Sequence, residues 1–334
     1  MLPLTEHHPK HLLNVGGVPF VEHQLAKLAA AGVEHVVLAT SYRADLFRPV
    51  LGDGERFGLS LAYVTEDEPL GTAGAIRNAA EQLSDDPDLA VVILNGDVLS
   101  GHDLVAQLAD FETPRDGVPV EVSLHLVQVP DARAFGCVPT DDHGRVTAFV
   151  EKSENPVTNQ VNAGCYVFRR RAIDRIPPDQ VVSVERETFP SLVADGTLVV
   201  GYVETAYWRD VGSPEALVAA SRDIVLGEAP SDAVSAETSG ARVDPSAKVL
   251  GTVDGGSVVD RHATVESGAH VSGSVVMAGA VVGEDAVVLD SVVGPGAIVG
   301  AGAELRNITL GDEARLSDGA RPEPGTRVEC GGVI

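Results

Sequence analysis

The sequence predicts an α/β domain on a mostly parallel sheet, followed by a parallel β-helix. Two observations predict this. Over the first ~225 residues, short β-rich apolar runs alternate with helical segments. From Ala241 onward, apolar residues return at six-residue intervals, usually followed by Gly and a small residue. At 334 residues the chain exceeds what one compact core holds, so two domains are expected.

In order, residues 18–31 read as a capped helix, with Pro19 in the first turn and Gly32 beyond the end. Residues 36–40 and 59–65 read as strands, 72–83 as a helix, 89–94 as a buried strand, and 165–168 as a further strand. Such alternation places helices on both faces of a parallel sheet, with ligands beyond the carboxyl ends of its strands. Residues 227–240 are rich in Ala, Ser, Pro, Glu and Gly and lose all periodicity, which marks a linker. The expected boundaries are therefore 1–226, 227–240 and 241–334.

The repeat shows in Val265-Glu-Ser-Gly-Ala-His-Val271, Val282-Gly-Glu-Asp-Ala-Val-Val288 and Val293-Gly-Pro-Gly-Ala-Ile-Val299. Each unit forms one side of a triangular coil. Its aliphatic residue points inward and stacks on its equivalents, and Gly or Ala fits the corners.

A net charge of −25 opposes nucleic acid and anionic membranes as partners. The longest apolar runs are too short to span a bilayer, and no signal peptide is apparent. Cys137, Cys165 and Cys330 are scattered without zinc-site spacing, as in reduced cysteines of a cytoplasmic protein.

Several residues invite chemistry. Leu89–Leu94 runs into Asn95-Gly96-Asp97: Gly96 admits close backbone approach, and Asp97 stands where a hard cation such as Mg²⁺ would be held. A loop Asp capping the next helix is the plain alternative. Asp210, in Trp208-Arg209-Asp210-Val211-Gly212, offers a second carboxylate, or a turn acid beside a buried Trp. Gly71-Thr72-Ala73-Gly74 opens a helix whose first N–H groups favour polar or anionic ligands. Glu151-Lys152 could receive sugar hydroxyls and a phosphate, or form a surface pair. Asn162-Ala163-Gly164 could read a hydroxyl or shape a turn. Glu185-Arg186-Glu187 reads as a solvated charge run.

In order, Pro3-Leu4-Thr5…Pro9-Lys10, Pro69-Leu-Gly-Thr-Ala-Gly74, Gly96-Asp97, Phe135-Gly136, Glu151-Lys152, Asn162-x-Gly164 and Trp208-x-Asp210-x-Gly212 resemble the sugar-1-phosphate nucleotidyltransferases. The match runs from Pro3 to about Leu226, and the hexapeptide domain resembles the left-handed β-helix that follows in many members. The resemblance implies a Rossmann-like sheet. It also implies attack by a sugar-1-phosphate oxygen on the α-phosphorus of an NTP, with loss of pyrophosphate. Carried over by motif, Asp97 and Asp210 hold Mg²⁺, Lys152 the sugar phosphate, and Glu151 and Asn162 the sugar hydroxyls. Lys10 meets the nucleotide phosphates, and residues 66–74 (Glu66, Gly71, Thr72 and Gly74 among them) cradle the base. Gly96, Gly136 and Gly164 belong to the same motifs. Glu66 stands where uridylyl- and thymidylyltransferases carry Gln. A carboxylate only accepts, which suits the adjacent N1–H and N2–H₂ of guanine; a solvated loop acid is the plain alternative. Ser183-Val-Glu-Arg-Glu-x-x-Phe189-Pro190 is similar to the mannose-1-phosphate guanylyltransferase subgroup.

The chain departs from the pattern at its start. The family's G-G-x-G-T-R phosphate loop, with its strand, is absent before Pro3, and His11 and Asn14 replace prolines. The sheet is thus expected to lack its first strand, whose aliphatic side chains contribute roughly 1.5–3 kcal/mol each. A start upstream of Met1 or a degenerate regulatory paralogue would each explain this; the first is favoured, and the chain as it stands is expected to turn over little. Three functions follow: a Mg²⁺-dependent guanylyltransferase acting on mannose-1-phosphate, with thymidylyl or uridylyl transfer to glucose-1-phosphate as the neighbouring option; a non-catalytic subunit binding a nucleotide sugar; and an acyltransferase using His262 or His270. The expected assembly is a homo-oligomer or a pair with a homologous subunit.

Overall fold

The computed structural model describes residues 1–40, 44–66, 68–237 and 239–334. In chain order the elements are β1 (Asn14–Val15), β2 (Val18–Pro19), α1 (Phe20–Ala30), β3 (His35–Ala39), α2 (Ala44–Leu51), β4 (Ser60–Val64), α3 (Gly71–Ala80), β5 (Ala90–Leu94), β6 (Val98–Ser100) and α4 (Leu104–Phe111). There follow β7 (Val122–Gln128), β8 (Gln160–Arg169), α5 (Arg170–Ile173), α6 (Phe189–Ala194), β9 (Val199–Glu204), β10 (Trp208–Asp210) and α7 (Pro214–Val225). Fifteen short strands, from Ala241–Val243 to Arg327–Val328, complete the chain. Among the described residues no helix is long and apolar enough to cross a membrane.

Two compact units form, and they do not follow chain order. One comprises Met1–Lys27, Leu99–Gly101 and Arg209–Ile334; the other comprises Leu28–Val98 and His102–Trp208.

The second unit holds the α/β sheet. Strands β5, β8, β7 and β9 lie side by side in that order, and β3 and β4 form a separate parallel ladder. The sheet is mixed rather than mostly parallel: β8 runs antiparallel to both β5 and β7, and β7 pairs parallel with β9. The physical reason is the connection. Residues 129–159 join β7 to β8 without a helical crossover, and only a crossover would bring β8 back parallel to β7. Helices cover both faces, as expected. Leu124, Leu126, Tyr166 and Phe168 pack against Ala73, Ile173 and Phe189 on one side, and Val167 and Val200 pack against Phe111 on the other.

Among the described residues, β3 pairs with β4 and β5 with β8, each along one edge. Val36–Leu38 in β3 and all of β5 are therefore only half-buried, although their sequence is aliphatic.

Residues 18–31 are not one helix. Val15 pairs with Val18, and Gly16 and Gly17 adopt φ of 60° and 92°, the left-handed pair of a two-residue hairpin. Pro19 thus ends a strand, and the helix starts at Phe20.

In the first unit the β-helix is a stack of coils with three parallel faces. Val258 pairs with Val275 and Val275 with Val292, so a coil in the middle of the stack takes 17 residues, one fewer than three full hexads. Val265, Val282, Val299 and Leu316 stack along one side of an aliphatic core. Buried serines form a ladder at one corner. Ser274 N–H donates to Ser257 Oγ at 3.1 Å, Ser291 N–H to Ser274 Oγ at 3.0 Å, and Ile308 N–H to Ser291 Oγ at 3.0 Å. Each hydroxyl satisfies a backbone donor that the tight corner removes from the sheet ladder.

Candidate functional site

The carboxyl end of β5 delivers Asn95, Gly96 and Asp97, all half-buried. Because β8 runs antiparallel beside it, Leu94 lies opposite Cys165, and Asn162–Gly164 come alongside. Asn95 N–H donates to Gly164 O at 2.7 Å. Gly164 has φ of 78°, and a Cβ there would sit 2.9 Å from Asn95 Nδ2, so glycine is needed for the approach. Asn162 is fixed at both ends of its amide: Oδ1 accepts from Gly164 N–H at 3.0 Å, and Nδ2 donates to the Tyr166 hydroxyl at 2.7 Å. Tyr166 is buried. Burial pushes its phenol well above the usual range, and the Glu185 carboxylate pushes it further.

Gly136 completes this patch. Its carbonyl accepts from Asn162 N–H at 2.9 Å. A Cβ on Gly136 would lie 3.1 Å from Glu151 Oε2, so the missing side chain lets that carboxylate lie over the strand. The bridge between Cys137 and Val150 brings Glu151 there. The structure therefore gathers Asn95, Gly136, Glu151, Asn162 and Gly164, five residues drawn from four separate stretches of chain. Lys152, next to Glu151, is exposed.

The start of α3 is used differently from its sequence-based reading. Ala73 N–H donates to Val182 O at 2.9 Å, and Val182 N–H donates to Leu70 O at 2.9 Å. A Cβ on Gly71 would meet Val182 O at 2.7 Å, and one on Gly74 would meet Gln180 O at 2.6 Å. Both glycines therefore admit the backbone of residues 180–182. Thr72 continues the seam: its hydroxyl donates to Glu185 Oε2 at 2.8 Å and accepts from Val184 N–H at 2.8 Å. Glu185 also accepts from Ser183 Oγ at 3.0 Å. It is not part of a solvated run but a half-buried carboxylate between Thr72 and Tyr166.

Glu66 lies at the head of this segment, half-buried; its neighbour Asp67, within the expected base-cradling stretch, falls outside the described residues. Glu66 Oε2 accepts from Leu70 N–H at 3.2 Å. Its other oxygen is buried and has no hydrogen-bond partner among the described residues.

Lys10 and Asp210 belong to the other compact unit. Lys10 opens a single 3₁₀ turn, Lys10–Leu12. Asp210 ends β10, which forms a two-stranded sheet with β6, the strand that begins directly after Asp97. Asp210 is exposed, and a Cβ on Gly212 would lie 2.9 Å from its Oδ1. The missing side chain lets the carboxylate lie against the Gly212 backbone. The preceding Arg209 pairs with buried Asp223 of α7 at 2.8 Å.

Sequence reasoning missed Asn95, Tyr166 and Glu185. Asn95 had a signal, its place at a strand end before Gly-Asp, and Tyr166 stands four residues beyond Asn162 on β8; Glu185 acquires meaning only through Thr72, far along the chain. A buried cluster also went unnoticed: the rings of His102 and His125 stack at 4.1 Å, and His125 Nε2 lies 3.1 Å from Glu204. On the β-helix, His262 fills a left-handed corner with φ of 57°, and His270 pairs with Asp254 at 3.1 Å.

The model of the nucleotidyl transferase family matches residues 1–226. A mannose-1-phosphate guanylyltransferase of Mycobacterium tuberculosis is 50% identical over 276 residues, 80% of this chain and 74% of that protein. The mannose-1-phosphate guanyltransferase of Yarrowia lipolytica is 36% identical over 215 residues, 64% of this chain and 57% of the yeast protein. Among solved structures, HddC of Yersinia pseudotuberculosis complexed with GMP-PN has a TM-score of 0.54 and 25% identity, covering 66% of this chain and 92% of that one. A putative glucose-1-phosphate thymidylyltransferase of Bacillus anthracis (TM-score 0.57, 21% identity, covering 66% of this chain and 88% of that one) shares the fold.

Proposed function

Since the chain belongs to the nucleotidyl transferase family, we propose that it transfers a guanylyl group from GTP to mannose-1-phosphate and releases pyrophosphate. The observation that carries the choice of GTP is Glu66. A buried carboxylate oxygen with no donor among the described residues costs about 1–3 kcal/mol. A ligand offering N–H groups relieves that cost, and guanine presents N1–H and N2–H₂ side by side. Uracil and thymine present one donor between two acceptors and would leave the carboxylate facing a carbonyl. The 50% identity to the mycobacterial mannose-1-phosphate guanylyltransferase supports the same nucleotide and the same sugar.

The reaction needs no covalent intermediate. An oxygen of the sugar phosphate attacks the α-phosphorus in line, and pyrophosphate leaves on the opposite side; alignment and charge neutralisation supply the rate. Glu151 and Asn162 would orient the sugar through its hydroxyls, Lys152 would hold its phosphate, and Lys10 would pair with the nucleotide phosphates. Asp97 and Asp210 offer the hard carboxylate oxygens that Mg²⁺ prefers. We assign Mg²⁺ to this pair; when bound, it supplies positive charge to the phosphate oxygens.

The test is nucleotide preference. The protein should bind GTP at least tenfold more tightly than dTTP or UTP by calorimetry, and Glu66→Gln should narrow that ratio. Equal affinities in the wild type would end the GTP assignment. GDP-mannose binding without pyrophosphate release under any condition would favour a regulatory subunit.

A further inference from the structure

The segment that carries Lys10 is not part of the unit that holds the sheet. Met1–Lys27 clusters with the β-helix and α7, and its polar contacts with the coils are specific. His8 Nε2 lies 2.8 Å from Asp312 Oδ2, and Asn14 Nδ2 donates to Asp260 Oδ2 at 3.0 Å. Gly16 N–H donates to Ser221 Oγ of α7 at 3.1 Å.

Asp260 is the informative member. It directly follows Val259, which stacks on Val276, Val293 and Leu310 in the coils above. The residues that follow those are Met277, Gly294 and Gly311. The coil thus needs no acid at this position, yet here it keeps one that is only 5% exposed. A carboxylate confined there loses solvation, and the hydrogen bond from Asn14 offsets only part of the loss. Burial pushes the Asp260 carboxyl up to about 6, against the lowering effect of Asn14 and Arg261. A costly side chain kept where the repeat does not call for it points to a role outside the repeat.

We propose that the β-helix is the mount for the phosphate-contacting segment, and that Asp260 is a positioning residue which, by gripping Asn14, sets where Lys10 stands. The inference rests on the role assigned to Lys10 above. Asn14 and Lys10 are joined by one short stretch, in which Leu12 N–H bonds to Pro9 O at 2.9 Å and Leu13 N–H to Lys10 O at 3.2 Å. A rigid turn of this kind passes the position of Asn14 on to Lys10. The same unit holds the strand ending in Asp210, through Arg209 and Asp223. Loosening the coil at Asp260 should therefore weaken the hold on the nucleotide phosphates and leave sugar recognition, carried by residues of the other unit, unchanged.

The experiment compares Asp260→Ala, Asn14→Ala and Asp260→Asn in the full chain. GTP and mannose-1-phosphate binding are measured by calorimetry, and amide hydrogen exchange is followed at Leu12 and Leu13. Asp260→Ala and Asn14→Ala should weaken GTP about tenfold and change mannose-1-phosphate less than twofold, with faster exchange at both amides. Asp260→Asn keeps an acceptor for Asn14 and should restore GTP affinity and exchange to wild-type values. Unchanged GTP affinity in both alanine variants, alongside normal wild-type binding, overturns the proposal. So does equal weakening of both ligands, which marks general loss of structure. If the wild type binds no nucleotide, the proposed function fails; the exchange rates then decide positioning separately, and unchanged rates in Asp260→Ala refute it.

Discussion

Replacing Gly74 with Ala sets two opposing effects against each other inside α3. Alanine in place of a helical glycine gains roughly 0.5–1 kcal/mol in backbone entropy and propensity. By that measure the variant is more stable. The structure reverses the sign. The new Cβ would stand 2.6 Å from Gln180 O and 2.7 Å from Leu70 Cβ, both too close for contact and the first a backbone atom. The chain at residues 180–182 must withdraw, which strains the bonds between Val182 and Ala73 and between Val182 and Leu70. Overpacking of this kind costs about 1–3 kcal/mol, and a weakened hydrogen bond about 0.5–1.5 kcal/mol more. The net expectation is a loss of about 1–3 kcal/mol, or a fall in melting temperature of roughly 2–4 °C per kcal/mol for a unit of this size. Differential scanning calorimetry of Gly74→Ala against wild type reads it directly. A variant that melts at or above wild type would refute the claim that α3 opens against the backbone of residues 180–182 rather than against open space.

Other outcomes follow from the same contacts. Asp97→Asn or Asp210→Asn should weaken Mg²⁺-dependent GTP binding at least tenfold by calorimetry, with the fold intact by circular dichroism. Thr72→Val removes the hydroxyl shared by Glu185 and Val184 and should cost about 1–2 kcal/mol in urea unfolding. Val288→Ala opens a hole in the aliphatic core of the β-helix and should cost about 2–3 kcal/mol in the same assay. The Asp260 carboxyl titrates near 6 when folded and lower when unfolded, so its contribution to stability is fully present at low pH and is lost as pH rises through 6. Asp260→Asn should therefore match wild type near pH 4 and exceed it by up to about 3 kcal/mol at pH 8; a gap that does not widen with pH would contradict the burial of this group.

Much of the architecture was legible because its causes are local. In the middle of the stack the inward-facing aliphatic of each hexad has its partner 17 residues away, so the β-helix is written into the sequence as a period. The strands and helices of the sheet domain show through their own periodicity, and ordered motifs marked most of the residues that gather at the carboxyl end of β5. Where expectation and structure part, the deciding contact is distant. The hairpin at Val15–Val18 is a local exception, in which two left-handed glycines outweigh the helix-start signal of Pro19.

Sequence alone determined the repeat, the alternation of elements and the identity of the candidate carboxylates, because each depends on neighbours within a few turns of chain. Tertiary structure decided the rest. Whether the amides opening α3 meet ligand or protein depended on Val182, and the role of Glu185 depended on Thr72, 113 residues away. The bond that ties the Lys10 segment to the coil joins residues 246 positions apart, Asn14 and Asp260. Such pairings are set by which surfaces exclude water together once the chain has collapsed, and no periodicity along the sequence encodes that.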